Sequence, residues 1–267
     1  MSAHVDDPLA DLDTVHVGHG VPVLVLHGPT PLAAELPFIS ALAEHAEIFA
    51  PSHPGFGRSP READFDSMYD LVHLYLQVLD RLPQQTVVVG LSFGGWLAAE
   101  LACLCSHRID RLILVDSVGI KLGSREERDI THLFNTPPDE LEARAWHDPA
   151  RRPRGPLGLG WQLHVQDMTD EELVLLARSW DALCLYAWRP HLYNPHLKAW
   201  LHRVRIPTLV VWGASDRIVS PEYGRAYAGL IPGARFDVIP RAGHHPELEQ
   251  PEALAARIVA FLQEPRR

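Results

Sequence analysis

Short apolar runs recur along this chain and alternate with longer stretches of helical spacing, a rhythm that points to a parallel sheet with crossover helices. Residues 21–26 and 86–89 are almost continuously apolar, as are 112–115 and 207–212. A strand that reads this way is one covered on both faces. Further strands are expected near Ile48 and over 235–239. Helical patterns occupy 32–44, 65–82, 93–105 and 251–263. In the second of these, Leu71, Leu74, Tyr75, Val78 and Leu79 share one side. The rhythm breaks between 119 and 205, where no β-branched run occurs and several candidate helices are separated by Pro and Gly. One of these, 168–188, carries Asp170, Glu171 and Glu172 in its first turn, where carboxylates oppose the helix dipole. The break is too long for an ordinary connection. The chain therefore reads as an α/β core formed by 1–118 and 206–267, with 119–205 as a helical cap or lid.

With 267 residues, 46% of them apolar, the chain can bury a core without disulfides or a structural metal. Lys and Arg total 24 against 34 Asp and Glu, a formal charge of −10 that offers no surface for nucleic acid or an anionic membrane. The basic cluster Arg151, Arg152 and Arg154 is interrupted by proline and reads as a solvated loop. Cys103, Cys105 and Cys184 form neither a disulfide framework nor a zinc pattern, and read as reduced packing residues. The first 13 residues hold four acids and no apolar stretch of signal-peptide type, and no run is long enough to span a bilayer. A cytoplasmic protein acting on a small molecule is expected. A homodimer is among the oligomeric states open to it.

The chemistry centres on Gly90-Leu91-Ser92-Phe93-Gly94, followed by Gly95, between a buried strand and a helix. A sharp strand-to-helix turn strains the serine backbone and exposes its hydroxyl, and the glycines let neighbouring chains pass. The bland reading is that Ser92 caps the helix. As a nucleophile, the hydroxyl needs a base, and 16 histidines are available. His244 follows Arg241-Ala242-Gly243 after the last strand, where a loop reaches the sheet's C-terminal edge, with His245 as its neighbouring rival. Asp216, just beyond the strand ending at Trp212, can orient the imidazole. Asp116, after 112–115, is the alternative acid. The order Ser92, Asp216, His244 is the one expected when such an elbow serine works with a triad.

Taken together the motifs resemble the α/β-hydrolase superfamily, in particular its small capped members: meta-cleavage-product hydrolases, esterases and haloperoxidase-like enzymes. The resemblance rests on five segments in order. These are Leu26-His27-Gly28, Pro54-Gly55-Phe56-Gly57-Arg58-Ser59, the serine elbow, Trp212-Gly213-Ala214-Ser215-Asp216-Arg217-Ile218-Val219, and Ala242-Gly243-His244 with Glu249 and Pro251 beyond. It implies an α/β-hydrolase fold, a helical cap, a serine esterase or carbon–carbon bond hydrolase activity, and no metal or organic cofactor. Dehalogenases and epoxide hydrolases of this layout use an aspartate nucleophile, which Ser92 argues against. One oxyanion donor is implied at the N–H of Phe93 and another in the loop after His27-Gly28. There Pro29 has no N–H, which moves the expectation to Thr30 or Gly28, with Thr30 taken as the donor. Trp161, Trp180 and Trp188, with Phe134, Leu183 and Tyr186, are candidates to roof an apolar pocket. Arg178 and Arg189 are candidates to pair with a substrate carboxylate, and His27 and Gly28 are candidates to contact substrate. A ligand-binding or signalling protein built on the same fold is the rival of a different class.

Overall fold

The computed structural model describes residues 8–124 and 126–265; part of the acidic N-terminal stretch, 1–7, lies outside the described residues. Seven strands form one sheet: β1 (Thr14–Gly18), β2 (Val21–Leu26), β3 (Ala46–Pro51), β4 (Thr86–Leu91), β5 (Ile109–Val115), β6 (Thr208–Gly213) and β7 (Arg235–Ile239). Their spatial order is β1-β3-β2-β4-β5-β6-β7. All neighbours are parallel except β1, which runs antiparallel to β3 along the edge.

Parallel strands buried on both faces divide their side chains between two cores. Val23, Val25, Val87, Val89, Ile113, Val115 and Val211 point into one layer, with α1 (Pro37–Ala43) and α9 (Pro251–Leu262) packed there. Leu24, Leu26, Val88, Leu112, Leu114, Val210 and Trp212 point into the other. That layer is covered by α2 (Met68–Arg81), α3 (Phe93–Cys105) and α7 (Pro221–Gly229). The continuous apolar runs follow from this, since neither face of the strand meets water.

Between β5 and β6 the named elements are helical: α4 (Pro138–Ala145), short 3₁₀ turns, α5 (Asp170–Ala187) and the single turn α6 (Leu197–Trp200). α5 starts where its sequence says it should. Thr169 accepts from the Glu172 N–H while the Glu172 carboxylate takes the Thr169 N–H, a capping box with three acids in the first turn. α2 starts the same way at Ser67 and Asp70. The helix expected over 32–44 begins only at Pro37, which supplies the preset φ of a first turn. A short helix, α8 (Pro246–Glu249), precedes α9. Among the described residues, no helix is long and apolar enough to cross a membrane.

The parallel arrangement brings the ends of β2, β4, β5, β6 and β7 to one sheet edge, so Gly28, Ser92, Asp116, Asp216 and His244 gather there. β2 and β4 are adjacent, yet their chains continue to opposite sides of the sheet. A crevice opens at such a switch point.

Two glycines show how tightly α3 is set against the sheet. A Cβ on Gly94 would stand 2.1 Å from the Leu26 carbonyl oxygen, and one on Gly95 would stand 1.9 Å from Ser117 Oγ. By contrast, a Cβ on Gly229 meets nothing within 4 Å. Gly95→Ala is therefore expected to lower the urea midpoint sharply or prevent soluble folding. Gly229→Ala should leave it unchanged or raise stability by about 0.4–1 kcal/mol. Urea unfolding of the two variants checks the contrast.

Candidate active site

Ser92 sits at φ 49°, ψ −110°, outside the conformations a side-chain-bearing residue prefers. The turn is held by its neighbours. The Ser92 N–H donates to the Val115 carbonyl at 2.9 Å, and the Ser92 carbonyl accepts from the Gly95 and Val118 N–H groups. Its hydroxyl does not cap α3. It lies instead 2.8 Å from His244 Nε2. His244 Nδ1 in turn lies 2.8 Å from Asp216 Oδ2. Asp216 Oδ1 accepts from the N–H groups of Ile218 and Val219 at 2.8 and 3.1 Å, so both oxygens are engaged. A carboxylate held like this fixes Nδ1 as the protonated ring nitrogen and leaves Nε2 free to accept from the serine.

The histidine loop is equally constrained. A Cβ on Gly243 would stand 2.1 Å from the carbonyl oxygen of Ala145, the last residue of α4. The His244 N–H donates to that same oxygen at 2.6 Å. The glycine before His244 thus permits the approach that aims the ring. Glu249 braces the junction, accepting from the Gly243 N–H and, on the insertion, from those of His147 and Asp148. His245 turns the other way. Its Nδ1 meets Glu247 Oε1 at 3.2 Å, and its Nε2 accepts from the Leu159 N–H at 3.2 Å.

His27, expected to contact substrate, lies beneath the site. Its Nδ1–H donates to the Gly28 carbonyl at 2.6 Å, and its Nε2 accepts from the His53 N–H at 2.8 Å. The His53 ring stacks on it at 3.9 Å, donating from Nε2 to the His27 carbonyl and accepting at Nδ1 from the Tyr75 hydroxyl. Neutral histidines are required by this network. Burial pushes His27 down to about 4 and His53 well below the ordinary imidazole range, the His27 charge adding to the latter. In the insertion, burial likewise lowers His191 to about 4.

Ser92 is reached through a cavity of about 20 Å³, room for roughly one water. Gly28, Pro29, Thr30, Leu157, Gly158 and Leu248 line it with Ser92 and His244. A hypothetical Cβ on Gly28 would lie 3.9 Å from Ser92 Oγ. A groove of about 410 Å³ shares Thr30, Pro31, Leu32 and Leu157 with this cavity and continues past Leu175 and Leu176 of α5; its rim carries Asp13, Glu35, Glu172 and Arg58, the last paired with Glu171. A much roomier depression, about 780 Å³, lies along Ile130, Arg144 and Arg217 and contains none of the three contacting side chains. Room alone does not locate the chemistry.

Several expected pocket residues lie elsewhere. Trp161, Trp180 and Trp188 do not line the Ser92 cavity; Trp180 packs on Phe134 and Trp161, and Trp188 packs on Phe134 and is 43% exposed. Leu183 and Tyr186 hold the insertion to the core, the Tyr186 hydroxyl donating to the Pro54 carbonyl. Arg178 donates to the Ser59 carbonyl, and Arg189 borders a separate surface groove with Tyr69 and Tyr193. Arg178 is taken up by that hydrogen bond, and Arg189 is exposed beyond the end of α5. The residues that do face the cavity from the insertion, Leu157 and Gly158, belong to a loop that reads only as punctuation. Its signal is the positive φ of Gly155, Gly158 and Gly160.

A doubly covered parallel sheet with a serine–histidine–aspartate contact chain at its edge defines an α/β-hydrolase. The chain belongs to the alpha/beta hydrolase family, whose profile matches residues 23–257. It is 27% identical over 258 residues to 2-hydroxymuconate semialdehyde hydrolase of Pseudomonas sp. (strain CF600), covering 92% of this chain and 88% of that one. It is 31% identical to a stretch of the polyketide synthase ThaQ of Burkholderia thailandensis, covering 84% of this chain. It spans only 11% of ThaQ and 41% of the biotin biosynthesis protein BioHC of Teredinibacter turnerae. Among solved structures, it is similar to the meta-cleavage product hydrolase CumD of Pseudomonas fluorescens IP01, with a TM-score of 0.72, 22% identity and 93% of each chain covered. A thermophilic esterase from Thermogutta terrifontis gives a TM-score of 0.70, 24% identity, and covers 94% of this chain and 93% of its own. Relatives thus include both ester and carbon–carbon bond hydrolases.

Because His27, His53 and His191 are held neutral, the folded state binds fewer protons than the unfolded one between pH 6.5 and about 4. Their contribution is complete above pH 6.5 and is lost as the pH falls toward 4, each group accounting for up to about 1.4 kcal/mol per pH unit. The melting temperature should fall steadily across that window. A flat profile would contradict the neutral network.

Proposed function

We propose that the protein is a carboxylic-ester hydrolase for small, neutral, largely apolar esters, working through an acyl-enzyme. The observation that carries this reading is the charge of the cavity. None of the described residues lining it is Lys or Arg, and it contains Glu247. A dienoate bearing its own carboxylate would enter that space without a cation to meet it, at a desolvation cost that an ester escapes. The adjoining groove carries Asp13, Glu35 and Glu172 against one cation, Arg58, which Glu171 already pairs, and its Leu32, Leu157, Leu175 and Leu176 suit an acyl or alkyl tail. We take the β5–β6 insertion, 119–205 by the sequence reading, as a cap, because Leu157 and Gly158 stand over Ser92.

In this mechanism His244 Nε2 takes the Ser92 proton as Oγ attacks the ester carbonyl, and Asp216 stabilises the imidazolium. His244 then returns the proton to the leaving alcohol. Water, activated by the same imidazole, releases the acid. The developing oxyanion is received by the N–H of Phe93, which opens α3 with the positive end of its dipole, and by that of Thr30, since Pro29 has none to offer.

A fluorophosphonate probe should label the wild type, with labelling abolished in Ser92→Ala and strongly reduced in His244→Ala. p-Nitrophenyl esters of increasing acyl length should be turned over in preference to a ring-cleavage dienoate. Efficient turnover of the dienoate alone would replace the esterase reading with carbon–carbon bond hydrolysis. The oxyanion assignment has its own check. Thr30→Pro, which deletes the N–H, should lower kcat by about 10²–10³ with KM little changed, whereas Thr30→Ala should stay near wild type.

A further inference from the structure

Asp116 is a second carboxyl group at the same sheet edge, unused by the mechanism above. It is 1% exposed and sits at φ 44°, a left-handed conformation that costs free energy in any residue with a side chain. Its backbone N–H donates to the Val211 carbonyl at 3.1 Å, and its Oδ1 accepts from the Gly213 N–H at 2.8 Å. Its Oδ2 is buried and, treated as a carboxylate oxygen, has no hydrogen-bond partner. One side-chain donor atom from each of Asp116, Asp216 and His244 falls within a set whose members all lie within 4.8 Å of one another.

Two buried carboxylates at that separation do not both ionise. The partners decide which one does. Asp216 has two backbone N–H groups on one oxygen and the imidazole Nδ1 on the other. Asp116 has a single N–H and faces Asp216 and, more remotely, Glu247. Burial and then the Asp216 charge push the Asp116 carboxyl well above the usual range; the Gly213 N–H pulls the other way, and a hydrogen bond to Asp216 and the Glu247 charge add to the rise. Both ring nitrogens of His244 and both oxygens of Asp216 are occupied, so a single proton on Asp116 suffices to satisfy the group.

We propose that Asp116 is a neutral carboxylic acid that donates from Oδ2 to the Asp216 carboxylate and so acts as a positioning residue for the imidazole of His244. The assignment rests on the triad reading for its catalytic consequence, though not for the proton itself. A donor on Asp216 fixes its orientation and spreads its charge without adding a second negative charge beside His244. The strained backbone at Asp116 is what carries its side chain back over the end of β6 to reach that partner.

The experiment uses Asp116→Asn and Asp116→Ala in the full chain. Asn keeps a donor for Asp216 and an acceptor for the Gly213 N–H, and carries no charge. Infrared difference spectra between wild type and Asp116→Asn at neutral pH should show the carbonyl stretch of a protonated carboxylic acid, lost in the variant. Absence of that band overturns the proposal. This measurement is independent of whether Ser92 is the nucleophile, so failure of the esterase reading and failure of this one are separable. Asp116→Ala should lower kcat with the best p-nitrophenyl ester about 10–100-fold, the range expected for losing a hydrogen bond to a charged group, with KM nearly constant. Asp116→Asn should restore most of that loss and leave the acid limb of kcat/KM within about 0.3 pH unit of wild type. If Asp116 were instead ionised, its removal as Asn would take a negative charge from beside His244 and move the limb down by about one unit or more. Such a shift, or wild-type kcat in Asp116→Ala, overturns the proposal. Should Asp116→Ala fail to fold, the Asn spectrum and pH profile decide it alone.

Discussion

The site depends on one steric arrangement, the seating of α3 directly on the carbonyl groups at the end of β2. Gly94 makes that contact possible, and Gly95 allows the matching approach to Ser117 beyond β5. It forces the chain to turn within one residue, and Ser92 is left at φ 49° with its hydroxyl turned away from the helix it begins. The cost of such a conformation, of order 1–3 kcal/mol, is offset by the backbone hydrogen bonds to Val115, Gly95 and Val118 and by burial of α3. A relaxed serine would have capped the helix. The strained one points at His244.

Around that turn, rigidity comes from several elements that share no sequence proximity. β6 supplies Asp216, the loop after β7 supplies His244, and α4 of the insertion holds the His244 backbone through the Ala145 carbonyl. Below them the His27–His53–Tyr75 network anchors Gly28 against Ser92. Side chains held in place before a ligand arrives lose little freedom on binding, which is the physical content of preorganisation.

Much of this was legible in the sequence because it is governed by local rules. Uninterrupted apolar runs mark strands with two buried faces, and β2, β4, β5 and β6 lie where such runs occur. The acidic turn Asp170-Glu171-Glu172 and the proline at position 251 mark helix starts. β1 was not legible. An edge strand with partly exposed residues has no continuous run, and it exists because β3 offers an unpaired edge. The helix over 32–44 failed at its first five residues for a related reason, since residues 32–36 are drawn into the wall of the Ser92 cavity and its adjoining groove. Aromatic residues in the insertion were visible, but their direction was not. Trp180 and Trp188 are as apolar as any pocket wall, and only tertiary packing turns them toward Phe134 instead. Leu157 and Gly158 carried no signal beyond a glycine-rich loop, yet they face Ser92.

The Glu249 carboxylate holds both the histidine loop and the first residues after α4. Residues up to Asp148 are thereby clamped to the catalytic framework and cannot swing without dislodging His244. The wall over Ser92 comes from farther along, in 149–160, where Gly155, Gly158 and Gly160 adopt left-handed conformations. One side chain, Glu249, thus ties the start of the insertion to the loop that carries His244, while Leu157 and Gly158 farther along contribute the wall beside Ser92.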